Sequence, residues 1–449
     1  MTDVFSAPHQ TLKHDDALAS GLQAMALLRA AGHEAYLVGG CVRDSLLGRE
    51  PKDCDVSTNA TPEEVRRICA ASGVRIAPTG LGHGTLTLLL DEPVEVTTYR
   101  AAGGLIHDLG RRDFTLNALA WDLEENVIDP FSGIEDIRHK IIRAVHDPEA
   151  RLREDPLRIL RGLRFAASLG FTIEPRTREA LFRNRALLTQ PAAERIGSEL
   201  TQLLCAPGAA QVLLAFVDIL SVPLPELAPL KGFEQHSAHH VHDVLRHTAF
   251  VLQNVPPLPS LRWAALLHDA GKPETFTRDE RGVGHFYGHA EVGARIARNV
   301  LKRLRIDTKT ALRVEALIQH HSFSVESMNI EDRAIKRLLN RWTPEFFFAL
   351  LELKRGDVKG QNPALLGRLS RLDACEARAR AILNRSECLS LKDLALKGGD
   401  LIALGVPPGP EIGRILKELL EQVLDEHLPN ERDALLEAAA ASLGPGNSG

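Results

Sequence analysis

Apolar side chains recur at helical spacing from residue 17 to residue 31 and stop at Gly32, which predicts a short amphipathic helix closed by a glycine. A small α/β alternation follows. EAYLVGG is an apolar run ended by paired glycines, read as strand then turn; CVRDSLLG is a short helix and CDVST a strand. TPEEVRRICAASG opens with Thr61 and Pro62, carries Glu63 and Glu64 in its first turn and ends at Gly73, so each local signal gives a capped helix. GTLTLLL and VEVTTY flank Asp91, Glu92 and Pro93 and predict a hairpin of two buried strands. DFTLNALAWD continues the α/β unit and VIDPFSG closes it.

After about residue 140 the pattern turns helical and no further strands are expected. Two interruptions stand out. VPLPELAPLKGFEQ (222–235) is proline-rich and reads as a domain boundary; the second runs from Gly356 to Pro363. A last segment, 390–442, carries the amphipathic helix EIGRILKELLEQVL behind a PPGP turn, and the terminal GPGNSG is expected to be disordered.

Composition narrows this picture. A chain of 449 residues exceeds one ordinary core and implies two to four domains. With a net charge of −5 and aromatic residues at 5%, a wholly basic coat and a broad stacking platform are excluded, so any nucleic-acid site is a local patch. One such patch runs from Arg151 to Arg195, with ten arginines against five acidic residues. The six cysteines, at 41, 54, 69, 205, 375 and 388, show neither CxxC spacing nor a disulfide framework. The polar N-terminus lacks a signal-peptide pattern and no run of 18 apolar residues occurs, so a cytoplasmic protein without a membrane partner is expected.

The candidate chemistry is concentrated in LVGGCVRDSLLGREPKDCDVSTNATPEEV. Asp53 and Asp55, one residue apart on a predicted strand, point to the same face. Carboxylates held together repel, and a divalent cation relieves that; oxygen ligands suit Mg²⁺, which also binds substrate phosphates. Gly39 and Gly40 let the backbone approach a phosphate, the helix after them turns its positive end toward it, and Arg43 is placed to reach a triphosphate. Glu95, on the VEVTT strand, is either a third metal carboxylate or an alternating residue facing solvent.

In this order and spacing the motifs resemble the polymerase-beta-like nucleotidyltransferase superfamily, within it the tRNA nucleotidyltransferases of class II and the bacterial poly(A) polymerases. RRDFTLNALAWD (111–122) is similar to the second family motif, which implies that Arg111 and Arg112 face nucleotide or primer phosphate while Asp113 and Asn117 organise the site. VIDPFSG resembles the next motif. REDPLRILRGLRFAASLGF (153–171) resembles the helix that reads the incoming base in place of a template, with Asp155 and Arg158 as the reading pair. A carboxylate accepts from the exocyclic amine of cytosine or adenine, and a guanidinium supplies donors beside it. At steps of three, Asp155, Arg158 and Arg161 cover one broad helix face, while Arg164 drifts aside to serve the triphosphate or the fold. AERIGSEL (193–200) resembles the last head-and-neck motif, in which Glu194 and Arg195 brace the reading helix.

The resemblance implies two-metal phosphoryl transfer: a tRNA 3′-hydroxyl attacks the nucleotide α-phosphate, pyrophosphate leaves, and ions held by Asp53 and Asp55 activate the hydroxyl and neutralise developing charge. Related enzymes that add all of CCA carry a long flexible loop before the RRDF motif, thought to let the pocket switch from cytosine to adenine. Here the interval is only YRAAGGLIHDLG (99–110), with Ala101, Ala102, Gly103 and Gly104 in place of the loop body. Such shortening resembles the enzymes that add two cytidines and leave adenosine to a separate A-adding enzyme.

The second half holds HSAHHVHDVLRHT, LLHDAGK, GHFYGHAEVG, IQHHS and LELKRGDVKG. The ordered set of His247, His268, Asp269 and Asp357 resembles the HD phosphohydrolases, implying a transition metal; His289 and either His320 or His321 are candidates for a second ion. The expected architecture is an α/β polymerase-beta-like nucleotidyltransferase head (1–140), an all-α neck (141–225), an HD-type helical body (230–365) and a helical tRNA-binding tail (366–449). The expected substrates are the tRNA 3′ end with CTP, and ATP if the last adenosine is also added. The rivals are a full CCA-adding enzyme, a poly(A) polymerase, and an HD phosphohydrolase whose inactive head only binds RNA.

Overall fold

The computed structural model describes residues 5–6, 16–77, 84–99, 103–124, 126–324, 330–385 and 387–443. Ala101, Ala102 and the terminal segment 444–449, expected to be disordered, lie outside the described residues. The chain forms two compact units, Met1–Pro225 and Glu226–Gly449. No helix among the described residues is long and apolar enough to cross a membrane.

The first unit begins with an eight-stranded sheet. Its strands are β1 (Phe5–Ser6), β2 (Ala35–Val38), β3 (Cys54–Thr58), β4 (Arg75–Ala77), β5 (Thr85–Leu89), β6 (Pro93–Thr98), β7 (Ala120–Trp121) and β8 (Asn126–Ile128). They lie in the order β1-β8-β7-β2-β3-β6-β5-β4. Every neighbouring pair is antiparallel except β3 and β6, which run parallel with Asp55 opposite Glu95. Parallel neighbours need a crossover, supplied here by α3 (Pro62–Ala71) and the β4–β5 hairpin. The helix predicted from Thr61 and Pro62 forms, and Thr61 and Glu64 make a capping box at its start. Helix α1 (Asp16–Ala30) packs so closely on the sheet that a Cβ on Gly21 would stand 2.8 Å from Leu37.

Short helices α2 (Gly40–Leu46), α4 (Gly104–Leu109) and α5 (Gly133–Arg138) complete the α/β layer. The neck follows as α6 (Pro148–Glu154), α7 (Leu157–Leu169), α8 (Pro175–Asn184), α9 (Ala193–Cys205) and α10 (Ala209–Leu220). Two sequence expectations need correction here. Strands do not stop at residue 140: β9 (Ile141–Ile142) pairs in parallel with β10 (Thr172–Ile173). In the second unit, β11 (Thr277–Arg278) pairs antiparallel with β12 (Gly284–His285). Two-residue strands are too short to leave an alternating pattern. The helix expected over 153–171 is two helices, because the residue before a proline is pushed out of the α region; Asp155, ahead of Pro156, has φ −143° and ψ 97°.

The second unit is a helical stack: α11 (Val244–Asn254), α12 (Pro259–Leu267), α13 (Lys272–Thr275), α14 (His289–Arg303), α15 (Thr308–His320), α16 (Asp332–Arg341) and α17 (Pro344–Gly360). It ends with α18 (Arg368–Asn384), α19 (Gly398–Ala403), α20 (Pro410–Leu424) and α21 (Arg432–Leu443). The interruption expected from Gly356 begins later, since α17 continues to Gly360. Gly356 serves close helix packing instead: a Cβ there would meet Val255 at 2.8 Å. Asp357 therefore lies on a buried helix and not in a loop.

Candidate active site

Gly39, Gly40, Arg43, Asp53, Asp55, Arg111, Arg112, Asp113, Asn117, Asp155, Arg158, Arg161 and Arg164 all line one cavity of about 580 Å³ in the first unit; of the bracing pair, Arg195 lines it and Glu194 does not. Its floor is the junction of β3 and β6. Asp53 stands just before β3, Asp55 lies within it, and Glu95, exposed on β6, lines the same cavity. Burial, then Asp53 and Glu95, push the Asp55 carboxyl up to about 6, against the opposing pull of Arg112 and Arg161. An all-oxygen group that resists its own ionisation is what a hard divalent cation would relieve, so these residues fit Mg²⁺.

The glycine turn serves an arginine. Gly39 has φ +79°, and a Cβ on it would lie 2.4 Å from the Arg112 guanidinium. Buried Arg112 Nε has no hydrogen-bond partner among the described residues, leaving a donor for an anion. Arg43 donates to Asp44 at 2.9 Å and to Asn117 Oδ1 at 2.7 Å. Asn117 donates in turn to Asp113, which also accepts from the Phe114 amide and from Arg161 at 2.7 Å. Burial alone would raise the Asp113 carboxyl; Arg161, Asn117 and that amide hold it below the usual range. Asp113 and Asn117 thus fasten the arginines of two segments together.

Asp155 is not a helix neighbour of Arg158, as expected, but sits in the break between α6 and α7. One carboxylate oxygen accepts from the Leu157 amide and the other from Arg195 at 2.9 Å. Arg158, in the first turn of α7, donates to the Arg111 carbonyl at 2.7 Å and the Arg151 carbonyl at 3.0 Å. The pair still faces one cavity, held by partners on other elements. Glu199 on α9 escaped the sequence reading although it lies inside the AERIGSEL motif. Nearly buried, it accepts from Arg164 at 2.6 Å and pairs with Arg161 at 3.7 Å. Asp108 and Ser57, also unnamed beforehand, are bonded at 3.2 Å in the cavity wall.

A second cluster lies in the other unit. His247, His268 and Asp357 form one group of converging ligand atoms, and Asp269, His289 and His321 form another. Asp269 spans them, one oxygen 3.2 Å from His268 and the other 3.8 Å from His289. The Nδ1 atoms of His247, His268, His289 and His321 each lie 2.6–3.0 Å from a backbone carbonyl. A carbonyl beside Nδ1 favours the neutral tautomer with its proton there, and it turns each Nε2 inward, as for metal-ligating histidines. The Nε2 atoms of His247 and His268 face each other at 3.3 Å, and those of His289 and His321 at 3.2 Å; burial alone would lower the His268 imidazole, but Asp269 and Asp357 hold it above the usual range. Burial, then His268, pushes His321 down to about 3, so it is neutral and free to ligate. Between His320 and His321 the structure selects the second; His320 ends α15 and packs on Trp342 and Phe346. Lys272, the last residue of LLHDAGK, adds a cation 2.7 Å from Asp269 that the His-Asp spacing does not signal.

A mixed sheet carrying a carboxylate floor, a glycine turn and an arginine-lined wall defines a nucleotidyltransferase head. The family model described as the poly A polymerase head domain matches residues 35–143. The probable RNA and SrmB-binding site of polymerase A matches 170–231, and the putative tRNA nucleotidyltransferase domain 2 matches 275–439. The CC-adding tRNA nucleotidyltransferase of Thermus thermophilus is 35% identical over 425 residues, covering 89% of this chain and 92% of the relative. The A-adding tRNA nucleotidyltransferase of Deinococcus radiodurans is 34% identical over 401 residues, 86% of this chain and 91% of the relative. Among solved structures, the Bacillus stearothermophilus CCA-adding enzyme in complex with CTP aligns with a TM-score of 0.72 at 27% identity, over 95% of this chain and 98% of that one. The chain belongs to the tRNA nucleotidyltransferase family.

Proposed function

We propose that the protein adds two cytidines from CTP to the 3′ end of tRNA, without a template, and stops there. The observation that carries the choice of product is the short connection between β6, which ends at Thr98, and α4, which begins at Gly104. Helix α4 is packed down through Leu105 and Leu109 onto Val38, Ala118 and Ala120, so little of this interval is left to reach across the cavity. Exchanging a pyrimidine for a purine requires the reading pair to shift, and Asp155 and Arg158 are pinned by Arg195, Arg111 and Arg151.

Asp53 and Asp55, with Glu95 beside them, would hold Mg²⁺, which supplies charge neutralisation at the transferring phosphorus and a more acidic 3′-hydroxyl. The residues themselves do the positioning. Arg112 offers its orphan donor to the triphosphate, Asp113 and Asn117 fix the guanidiniums of Arg43 and Arg161, and Asp155 and Arg158 meet the base edge. The A-adding relative makes adenosine alone the competing product. Addition to tRNA lacking its last three residues, with CTP and ATP offered singly, separates the two: CTP should give two residues and ATP none.

The inward-facing histidine Nε2 atoms favour a second activity, an HD-type phosphohydrolase in the other unit. His247, His268, Asp269, His289, His321 and Asp357 would hold one or two transition-metal ions. The purified protein is then expected to take up Mn²⁺, Co²⁺ or Ni²⁺ and to hydrolyse a phosphoester such as a 2′,3′-cyclic nucleotide. His268→Ala should lower metal content and stop hydrolysis while nucleotide addition stays at its normal rate. A wild-type protein that binds no metal beyond the head site would refute this activity.

A further inference from the structure

A groove of about 660 Å³ lies outside the catalytic cavity, between the C-terminal end of α7, β10 and α10. Its floor includes the apolar side chains of Ala167, Ile173 and Val212, and its edges carry Arg49 and Arg178. No carboxylate lines it, in a chain whose net charge is −5. Both arginines are exposed, and neither forms an ion pair with a described acidic residue. Arg178 is nonetheless held in place. Its guanidinium lies 5.1 Å from the centre of the Phe182 ring and 5.4 Å from that of Phe216. Those two rings stack at 5.7 Å and 27°. Phe216 reaches this position because α10 breaks there, with φ −131° and ψ 23°.

A guanidinium laid on aromatic rings, with an apolar floor beside it and a second arginine across the way, is the chemistry that receives one nucleobase and its phosphate. Ala167 lies nine residues along α7 from Arg158, or about 14 Å, so the groove is a few nucleotides away from the base-reading pair. The family model covering 170–231, which includes most of the groove, is described as a probable RNA-binding site. We infer that this groove holds one unpaired nucleotide of the RNA primer, its base on the apolar floor and Arg178, its phosphate at Arg49. The inference rests on the reading of the protein as a tRNA 3′-end enzyme.

The site acts on the primer and leaves the chemistry alone. Arg49→Ala and Arg178→Ala are each expected to raise KM for tRNA about 5- to 100-fold, the loss typical of one stacked or phosphate-bound nucleotide. The values of kcat and of KM for CTP should stay unchanged. Because Arg178→Ala also removes packing against Phe182, Gln211→Glu provides a second variant: it adds a carboxylate at an exposed lining position and should raise the same KM. Arg178→Lys keeps the charge but not the plane, and should recover only part of the affinity. A tRNA carrying 4-thiouridine at each unpaired 3′ position in turn should crosslink, at one position, to residues 166–173 or 207–216. Unchanged KM for tRNA in all the alanine and glutamate variants, or crosslinks confined to the catalytic cavity, would overturn the inference. So would free ATP or CTP protecting the groove from crosslinking, since the occupant would then be a free nucleotide. Filter binding and crosslinking need no turnover, so a wild-type protein that adds nothing to tRNA would sink the tRNA reading without obscuring the result for the groove.

Discussion

Replacement of Asp53 or Asp55 by Ala is expected to lower nucleotide addition by at least about a thousandfold, at or beyond the upper end of the loss seen when a single preorganised electrostatic group is removed. Asp55 stands opposite Glu95 at the point where β3 and β6 run parallel, and Asp53 enters the same cavity from the residue before the strand. On the proposed reading, removing either carboxylate would leave a bound divalent ion with only one of the two aspartates that would hold it. Binding of tRNA should persist, because affinity for nucleic acid comes mainly from phosphate contacts spread over the surface. The fold should persist as well. Asp53, Asp55 and Glu95 repel one another in the metal-free protein, so the neutral Asp55→Asn should not lower Tm in buffer containing a chelator. Filter binding and thermal unfolding run beside the addition assay distinguish a lost catalyst from a lost structure. Near-normal addition by either Ala variant would remove the site assignment.

Asp155→Ala is expected to lose discrimination against UTP by roughly 1–3 kcal/mol, about a factor of five to a hundred, the worth of one bidentate base contact. The structure adds a complication and a control. Asp155 also holds the Leu157 amide and Arg195, so truncation frees the start of α7 along with the base contact. Asp155→Asn keeps an oxygen for the Leu157 amide but presents a donor as well as an acceptor to the base, and should admit UTP while keeping much of the rate. The measurement is the ratio of kcat/KM for CTP to that for UTP. If both variants slow all nucleotides equally, Asp155 is architectural and the base is read elsewhere.

What the sequence made legible follows the reach of local signals. Thr61, Pro62 and Glu64 announced α3 because a capping box is complete within four residues. The glycine turn and the aspartates could be placed on one cavity because strand–turn–helix–strand leaves few ways to arrange them. Glu199 stayed hidden because its role depends on α9 lying beside α7, a contact spanning 35 residues of sequence between Arg164 and Glu199. Helical spacing placed Asp155 on one face with Arg158, yet Pro156 was in plain view and should have broken that helix. The choice between His320 and His321 was undecidable from spacing, since adjacent residues at the end of a helix point about 100° apart and only packing against Trp342 shows which one turns away. A glycine in a helical run signals a break locally, whereas at Gly356 the missing side chain is what lets α17 approach α11.

The most direct test of the account is a sequencing gel of tRNA lacking its three terminal nucleotides, incubated with the purified protein, Mg²⁺ and CTP alone, then chased with ATP. The account predicts a product longer by two residues, sensitive to Asp53→Ala, and no further growth on the chase. Extension by one adenosine after the two cytidines would contradict the restricted product and show a complete CCA-adding enzyme, whereas failure to extend the tRNA with CTP at all would contradict the central claim.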